Sequence, residues 1–450
     1  MRIERLSADD VARLGGADGA AARVRSLVPD GDSVAGPVRE IIADVRARGD
    51  AAVLDYTRRF DTAGGDPRPL LVAPEELDEA IKRLPLELIA GLQVAIVNVA
   101  LVADAGVGRD VPVELPQGQR VLLREVPVSS AAVYVPGGRA AYPSTVVMGV
   151  VTARSAGVVD VAVCAPPGPD GQIDPAILGT CRLCGVERVY RMGGAQAVAA
   201  LAHGTDTVQR VDVVVGPGNL YVQEAKHQLS ATVGIDGFAG PSDLLVVLGA
   251  AVERELDDGQ HGRSLHLAAL DMLAQAEHGE GSLVLAVSPS ARVCDALAQT
   301  LKNMVVERPT VGDAAFAIVH VASARDAIAL ANAFAPEHLQ LIGADVEALA
   351  PTVRCAGCLF VGIDSATAFG DYVAGSNHVL PTGGAARFAS TLSPRHFRRT
   401  MSQVHVGQAA AKLAAAGAPI ASAEGFQVHA ESMQARVAPQ STHMSPKEPQ

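Results

Sequence analysis

The stretch DMLAQAEH, from Asp271 to His278, carries a carboxylate, an amide and an imidazole at helical spacing. The run and the LHLAAL before it are rich in Ala and Leu, contain no Pro or Gly, and stop at Gly279, the pattern of a helix ended by glycine. Side chains three and four apart share a helix face, so Asp271, Gln275 and His278 line one stripe while Glu277 points elsewhere. A carboxylate, an amide oxygen and an imidazole nitrogen are hard and borderline donors for a divalent metal such as zinc. An exposed polar stripe has the same spacing, so the stretch alone leaves both readings open.

Other polar residues stand where apolar runs stop. Pro136-Gly137-Gly138, Met192-Gly193-Gly194-Ala195-Gln196 and Gly216-Pro217-Gly218-Asn219 each follow a short apolar run. None is a full GxGxxG, but glycine lets backbone approach a phosphate closely, and three such turns in one region point to a nucleotide or another anionic ligand. Tight structural turns are the alternative. Ala335-Pro336-Glu337-His338 opens a further segment, its proline suited to the first turn of a helix. The stretch FGDYVAGSNHVLPTGG packs Asp371, Tyr372, Asn377 and His378 between glycines and a proline, the composition of a functional loop. Glu424 and His429 lie near the C-terminus.

The elements that carry these residues alternate. From Ala131 the order is strand, helix (STVVMGVVTARSAG), strand (VDVAVCAPP), helix (PAILGTCRLCG), strand (VERVYRMGG), helix (AQAVAALAHG) and strand (VDVVVGPGN). This is the spacing of βαβ units in a parallel sheet covered on both faces. A second alternating region runs through LLVVLG, the charged insertion Glu253–Arg263, the DMLAQAEH helix, SLVLAVSP, a helix from Ala291 to Glu307, AIVHVAS, a helix from Ala324 to Phe334, and CLFVGI. Before both lie a helix ending near Asp61, a helical region from Pro74 to Ala103 and a β-like segment, Val111–Val126. The expected fold is α/β: two Rossmann-like doubly wound parallel-sheet domains with small N- and C-terminal helical segments. Residues 1–25 read as a peripheral arm, 26–130 with 245–385 as one α/β domain, and 131–244 as the other. The last ~55 residues read as helical, with 386–438 forming a C-terminal arm and 439–450 a disordered tail.

At 450 residues, 49% of them hydrophobic, the chain has material for two or three domains. A net charge of −12 argues against nucleic acid or an anionic membrane as the main partner. No basic start followed by an apolar core marks secretion. The longest apolar stretch, Leu88 to Ala103, is interrupted by Gly91, Gln93 and Asn98 and falls short of the ~20 residues of a span. A soluble, cytoplasmic protein is expected. Two CxxC pairs, Cys181/Cys184 and Cys355/Cys358, invite a thiolate metal site, but they are far apart and each adjoins an apolar strand-like run, where buried free thiols are the commoner outcome.

At AQAEHG, APEHL and GDYVAGSNHVLPT together the sequence resembles the histidinol dehydrogenase family, from about Val34 to Val437. YVPGG, YPSTVVM, GGAQAVAALAHGT, VDVVVGPGNLYV, EAK, GIDGFAGPSD and a terminal EGFQVH follow in the same order. The resemblance implies an NAD-dependent oxidoreductase of histidine biosynthesis that takes L-histidinol through histidinaldehyde to L-histidine in two hydride transfers. It implies one Zn2+ per subunit, held by Gln275, His278, Asp371 and His429, and a catalytic pair, Glu337 and His338. His338 would take the hydroxyl proton and Glu337 would activate water, the two pointing ~100° apart on a helix. Substrate contacts fall on Ser242, His378 and Glu424 as well as on Gln275, His278, His338, Asp371 and His429. NAD contacts fall on Tyr134, Gln196 and Asn219, in or beside the glycine turns. Metal and catalytic residues thus lie in the discontinuous domain, and NAD in the one spanning 131–244. The C-terminal arm would complete the site of the neighbouring subunit in a homodimer.

The chain departs from the family pattern at four places. Thr367 stands where a Glu is usual before GDY, and Asp243 replaces a Glu after GPS. The insertion Glu253–Arg263 is longer and more charged, and Leu101–Gly106 lacks a His/Gln pattern. Two rivals follow: a zinc and NAD alcohol dehydrogenase for another small polar alcohol, and a zinc hydrolase using Glu337, which leaves the glycine turns without a ligand.

Overall fold

The structure is a computed structural model that describes residues 2–28, 33–137, 140–237, 240–257, 262–279, 281–311 and 313–437. The expected tail 439–450, residues 258–261 of the charged insertion, and Gly138 of the first glycine turn lie outside the described residues. The chain divides into two compact units, Met1–Val107 with Val128–Phe397, and Gly108–Pro127 with Arg398–Gln450.

In chain order the strands are β1 (Ile3–Leu6), β2 (Val111–Glu114), β3 (Arg120–Pro127), β4 (Ser130–Tyr134), β5 (Asp160–Ala165), β6 (Arg188–Arg191) and β7 (Val213–Val215). They continue with β8 (Gly234–Ile235), β9 (Asp243–Leu248), β10 (Leu283–Ser288), β11 (Ala315–His320), β12 (His338–Ile342), β13 (Cys358–Val361) and β14 (Arg398–His405). The first unit holds two parallel sheets, ordered β6-β5-β4-β7-β8 and β1-β11-β10-β9-β12-β13. They share a winding: each runs outward for three strands (β4 to β6, β9 to β11), then crosses to the other side of its first strand. That crossing leaves a switch point between β4 and β7 and another between β9 and β12.

The interior strands of both sheets are buried on both faces and are continuous apolar runs, such as DLLVVL of β9 and LVLAVS of β10. Ala131 and Val133 of β4 join one core, Ala132 and Tyr134 the opposite one. Leu245 and Val247 of β9 separate likewise from Leu244, Val246 and Leu248. This is the two-residue alternation of a strand.

Several elements differ from the sequence reading. Ile3–Leu6, read as part of an arm, is the edge strand beside β11, and the following helix Ala17–Arg25 packs Ala20, Ala21 and Val24 into the core. The single helix expected up to Asp61 breaks at Gly49, whose φ of 57° lies in the left-handed region, into Ala35–Arg48 and Asp50–Phe60. The region from Pro74 breaks at Pro85 into Pro74–Arg83 and Leu86–Ala105. All four helices pack on the five-stranded sheet, not on the larger sheet with which residues 26–130 had been grouped. Periodicity fixes the buried face of a helix but not which sheet that face covers. Leu86–Ala105 has 20 residues and is long and apolar enough to cross a membrane by length and composition, unlike the shorter stretch read from the sequence. In the fold it buries Leu92, Ala95, Val99 and Ala103 against the core.

In the second unit β14, β3 and β2 form an antiparallel sheet. The C-terminal segment, expected to be helical throughout, therefore begins with a strand. Its helices Ala410–Ala423 and Gln427–Gln434 close a small cluster of Ala418, Ala421 and Ala430 with Met433.

Candidate active site

At the switch point of the larger sheet, the amino ends of β9 and β12 carry Ser242, Asp243, Glu337 and His338. Pro336-Glu337-His338 does not start a helix. His338 opens β12, held by parallel pairing to β9 on one side and β13 on the other, so long-range pairing overrides the local proline signal. Adjacent side chains of extended backbone diverge to opposite sides, yet Glu337 Oε2 stays 3.9 Å from His338 Nδ1.

Hydrogen bonds and close charged contacts join Gln275, Ser242, Glu337, His338 and Asp371 into one chain. Gln275 Nε2 donates to Ser242 Oγ at 2.6 Å, and Ser242 Oγ donates to Glu337 Oε2 at 2.6 Å. The Asp243 amide reaches the same Glu337 oxygen at 3.0 Å. On the other side of the pair, His338 Nε2 lies 3.3 Å from Asp371 Oδ1. Asp371 stands on the short helix Thr367–Tyr372, where buried Thr367 occupies the first position.

The stripe on the helix Arg263–Ala276 splits. Asp271 turns inward and accepts from Gln340 Nε2 at 2.7 Å, and burial lifts its carboxyl to about 6. Gln275 faces Ser242. The helix ends at Ala276, so His278 lies in the turn beyond it, its Nδ1 3.1 Å from Gln275 O. His378 is braced at both ring nitrogens, by Asp371 O at 2.8 Å and by Thr145 Oγ1 at 3.2 Å. It ties the Asp371 loop to the helix Pro143–Ser155.

Electrostatically the site is a buried cluster of opposed charges. Burial raises Glu337, against the pull of His338. Burial also opposes a charge on His338, but the neighbouring carboxylates Glu337 and Asp371 outweigh it and raise His338. Asp371 is lowered despite burial, chiefly by its hydrogen bond to His338. Among the described residues His338 Nδ1 is buried without a hydrogen-bond partner.

A second site lies at the switch point of the five-stranded sheet. The glycine turns after β4, β6 and β7 converge on a cavity of about 830 Å3 lined by Tyr134, Gly137, Gly194, Gln196 and Asn219. Gly216 must be glycine: its φ is 117°, and a Cβ there would stand 2.1 Å from Tyr134 O. Tyr134 Oη accepts from Gly194 N at 3.0 Å. Asn219 Oδ1 accepts from Tyr221 N and Val222 N, capping the helix Leu220–Leu229, and Gln196 Nε2 is buried without a partner. No residue of the Glu337–His338 cluster lines this cavity. Ala141 does, four positions before Thr145, the partner of His378.

Glu424 and His429 belong to the second unit. Glu424 ends the helix Ala410–Ala423, and His429 lies on Gln427–Gln434 with its ring 5.2 Å from that of Phe426; both are exposed. Among the described residues no three His, Cys, Asp or Glu side chains form a metal cage. Gln275, His278 and Asp371 are nitrogen and oxygen donors from one unit, a set that suits zinc but needs a fourth donor. The cysteines form no disulfide among the described residues, and burial pushes Cys184 up to about 12 and raises Cys181 as well, so the Cys181/Cys184 pair offers no ready thiolate.

A model of the histidinol dehydrogenase family matches residues 27–437. The chain belongs to the histidinol dehydrogenase family. Histidinol dehydrogenase of Gluconobacter oxydans (strain 621H) is 40% identical over 415 residues, 91% of this chain and 94% of that protein. That of Geobacter metallireducens (strain ATCC 53774 / DSM 7210 / GS-15) is 41% identical over 411 residues, 89% and 91% of the two chains. The crystal structure of histidinol dehydrogenase from Elizabethkingia anophelis superposes with a TM-score of 0.86 at 27% identity, covering 97% of this chain and 98% of that one.

In this member of the histidinol dehydrogenase family, three residues of the site had not been singled out for it. Thr145 lies in an apolar helix, and Gln340 in an apolar strand. Arg25 sits on an N-terminal helix, with Nη1 3.3 Å from Asp243 Oδ2. A polar residue inside an otherwise apolar run was the available signal for the first two.

Proposed function

We propose that this chain oxidises L-histidinol to L-histidine through histidinaldehyde in two successive hydride transfers, as a zinc- and NAD-dependent enzyme of histidine biosynthesis in the cytoplasm. The observation that carries the reading is the continuous contact chain Gln275–Ser242–Glu337–His338–Asp371. Gln275, His278 and Asp371, with His429 of a second subunit, would hold one zinc per subunit, and Tyr134, Gln196 and Asn219 would line the NAD cavity. When bound, zinc orients the amine and imidazole of the substrate, and NAD accepts the hydride.

In the first oxidation His338 takes the hydroxyl proton as hydride leaves the carbinol carbon. Asp371 and Glu337 stabilise the resulting imidazolium, which is why their proximity suits a base. In the second, water adds to the aldehyde carbon and Glu337 removes its proton, giving the hydrate anion, from which a second hydride leaves to form the acid. Ser242 Oγ and the Asp243 amide both bind Glu337 Oε2, which leaves Oε1 to take that proton. Burial that lifts a carboxyl toward neutrality makes it a stronger base.

Exposed apolar surface supports a homodimer with shared sites. Val94, Val97, Leu101 and Val102 are exposed on the helix Leu86–Ala105, as are Ile420, Phe426 and Val428 of the small second unit. A second reading, another small polar alcohol as substrate, is favoured by Thr367 alone. Mixing the protein with NAD and L-histidinol tests the proposal: NADH should form, cease on chelation and return with zinc. NADH formation from other alcohols but not from L-histidinol would favour the second reading.

A further inference from the structure

Gln340 is fully buried in the middle of β12, between Leu339 and Leu341 of the strand HLQLI. Successive side chains of a strand point to opposite faces, so Gln340 shares its face with His338 and Ile342. The helix Arg263–Ala276 covers that face, where Ile342 joins Val246, Met272 and Leu273 in one core. A polar group in such a wall is costly unless its hydrogen bonds are made. Gln340 Nε2 makes its own, donating to Asp271 Oδ2 at 2.7 Å and to Ser365 O at 3.1 Å. Its Oε1 is buried without a partner among the described residues. Apolar side chains at both 271 and 340 would spare the fold that cost, so the pair is explained by what its bonds hold.

What they hold is the candidate active site. Asp271 stands one turn before Gln275 on the same helix face, and His278 lies in the turn beyond that helix. Ser365 comes shortly before the helix Thr367–Tyr372, which carries Asp371. Gln340 is itself two residues along β12 from His338, and Phe360, its register partner on β13, has its ring 5.9 Å from that of His338. One amide thus fastens three elements that are distant in sequence, each leading to a residue of the site.

We propose that Asp271 and Gln340 are positioning residues: their hydrogen bond, with the one to Ser365 O, fixes the spacing of Gln275, His278 and Asp371 and so sets the affinity of this chain for zinc. This rests on the zinc reading above. Donors from a helix, the turn beyond it and a second short helix hold one ion tightly only if the three are kept within about 0.5 Å of the right separations. Asp271 and Gln340 act on the ion through those elements and do not touch it.

The test compares the full-length wild type with Asp271→Leu/Gln340→Met, both stripped of metal. Zinc affinity is read by competition with a chromophoric chelator, and stability by thermal melting of the metal-free protein. Replacing both partners of a buried hydrogen bond by apolar groups of similar shape is nearly neutral for a fold, so the metal-free variant should melt close to the wild type. Its zinc Kd should rise about 10-fold or more, the scale on which groups that orient metal ligands act. Asp271→Asn keeps an acceptor for Gln340 Nε2 and should hold zinc within a few-fold of the wild type; a loss as large as in the double variant would trace the effect to charge and overturn the role of the hydrogen bond. Should the double variant melt well below the wild type, Asp271→Asn/Gln340→Met, which leaves no unpaired carboxylate, carries the same prediction. Wild type that binds one zinc per subunit, beside a folded double variant that binds it as tightly, refutes the positioning role and leaves the zinc reading standing. Wild type that binds no zinc overturns both.

Discussion

Asp243 and Glu337 exchange two hydrogen bonds: Glu337 N donates to Asp243 Oδ1 at 2.6 Å, and Asp243 N donates to Glu337 Oε2 at 3.0 Å. The exchange ties the amino ends of β9 and β12 across their switch point and fixes the Glu337 carboxylate. Asp243 is almost fully buried, and Arg25 supplies its counter-charge at 3.3 Å while its guanidinium lies 4.0 Å over the Phe334 ring.

Arg25→Met should therefore leave Asp243 as an uncompensated buried charge. Breaking such a pair costs about 3 kcal/mol or more, to be read as lost stability in denaturant unfolding at neutral pH. Unchanged stability would mean that Asp243 is held protonated, the direction in which burial pushes it.

Asp61 gives a pH dependence of opposite origin. Its folded pKa is raised from 3.8 to about 7, so in that interval the unfolded chain has released a proton that the folded one keeps. Its contribution to stability is complete below the unfolded value and is lost as pH rises through the folded one. Asp61→Asn should gain on the wild type in melting temperature from about pH 4 to about pH 7, with a constant difference above that. A difference that stays flat across the interval would show an ordinary, exposed carboxylate.

The sequence made the interior strands legible because apolar runs such as VDVVV and LLVVLG stop at glycine turns, and a strand buried on both faces has little other spelling. Two edge strands were not. Ile3–Leu6 carries Glu4 and Arg5 at its centre, and Arg398–His405 is mostly polar; each is a strand because of what it pairs with. Glu337 and His338 were found as a pair but placed on a helix, since Pro336 speaks for a helix start and only β9 and β13 speak for a strand. On the stripe Asp271–Gln275–His278, Gln275 meets Ser242 and Asp271 meets the buried amide of Gln340, partners no spacing rule could name.

The proposed catalytic pair, Glu337 and His338, should separate the two half-reactions. Glu337→Gln should retain part of the alcohol oxidation and lose aldehyde oxidation by ~100- to 10,000-fold, and His338→Asn should lose alcohol oxidation on the same scale. Single-turnover NADH formation from L-histidinol and from histidinaldehyde measures each step. Equal damage to both steps in both variants would remove the division of roles.

The proposed sharing of sites between subunits allows complementation. His429→Ala and His338→Ala homodimers should each be inactive. After subunit exchange at equal amounts, half the dimers are mixed, each with one doubly altered and one intact site, so activity should return to about a quarter of wild type. No recovery in demonstrably mixed dimers would put His429 in its own chain's site.

The stoichiometry of the complete reaction tests the two-step assignment most directly. With NAD in excess and a limiting, weighed amount of L-histidinol, NADH and the amino-acid product are quantified at completion. The proposed chemistry yields two NADH and one L-histidine for each L-histidinol consumed. One NADH per substrate with aldehyde accumulating, or no NADH at all from zinc-loaded protein, would contradict it.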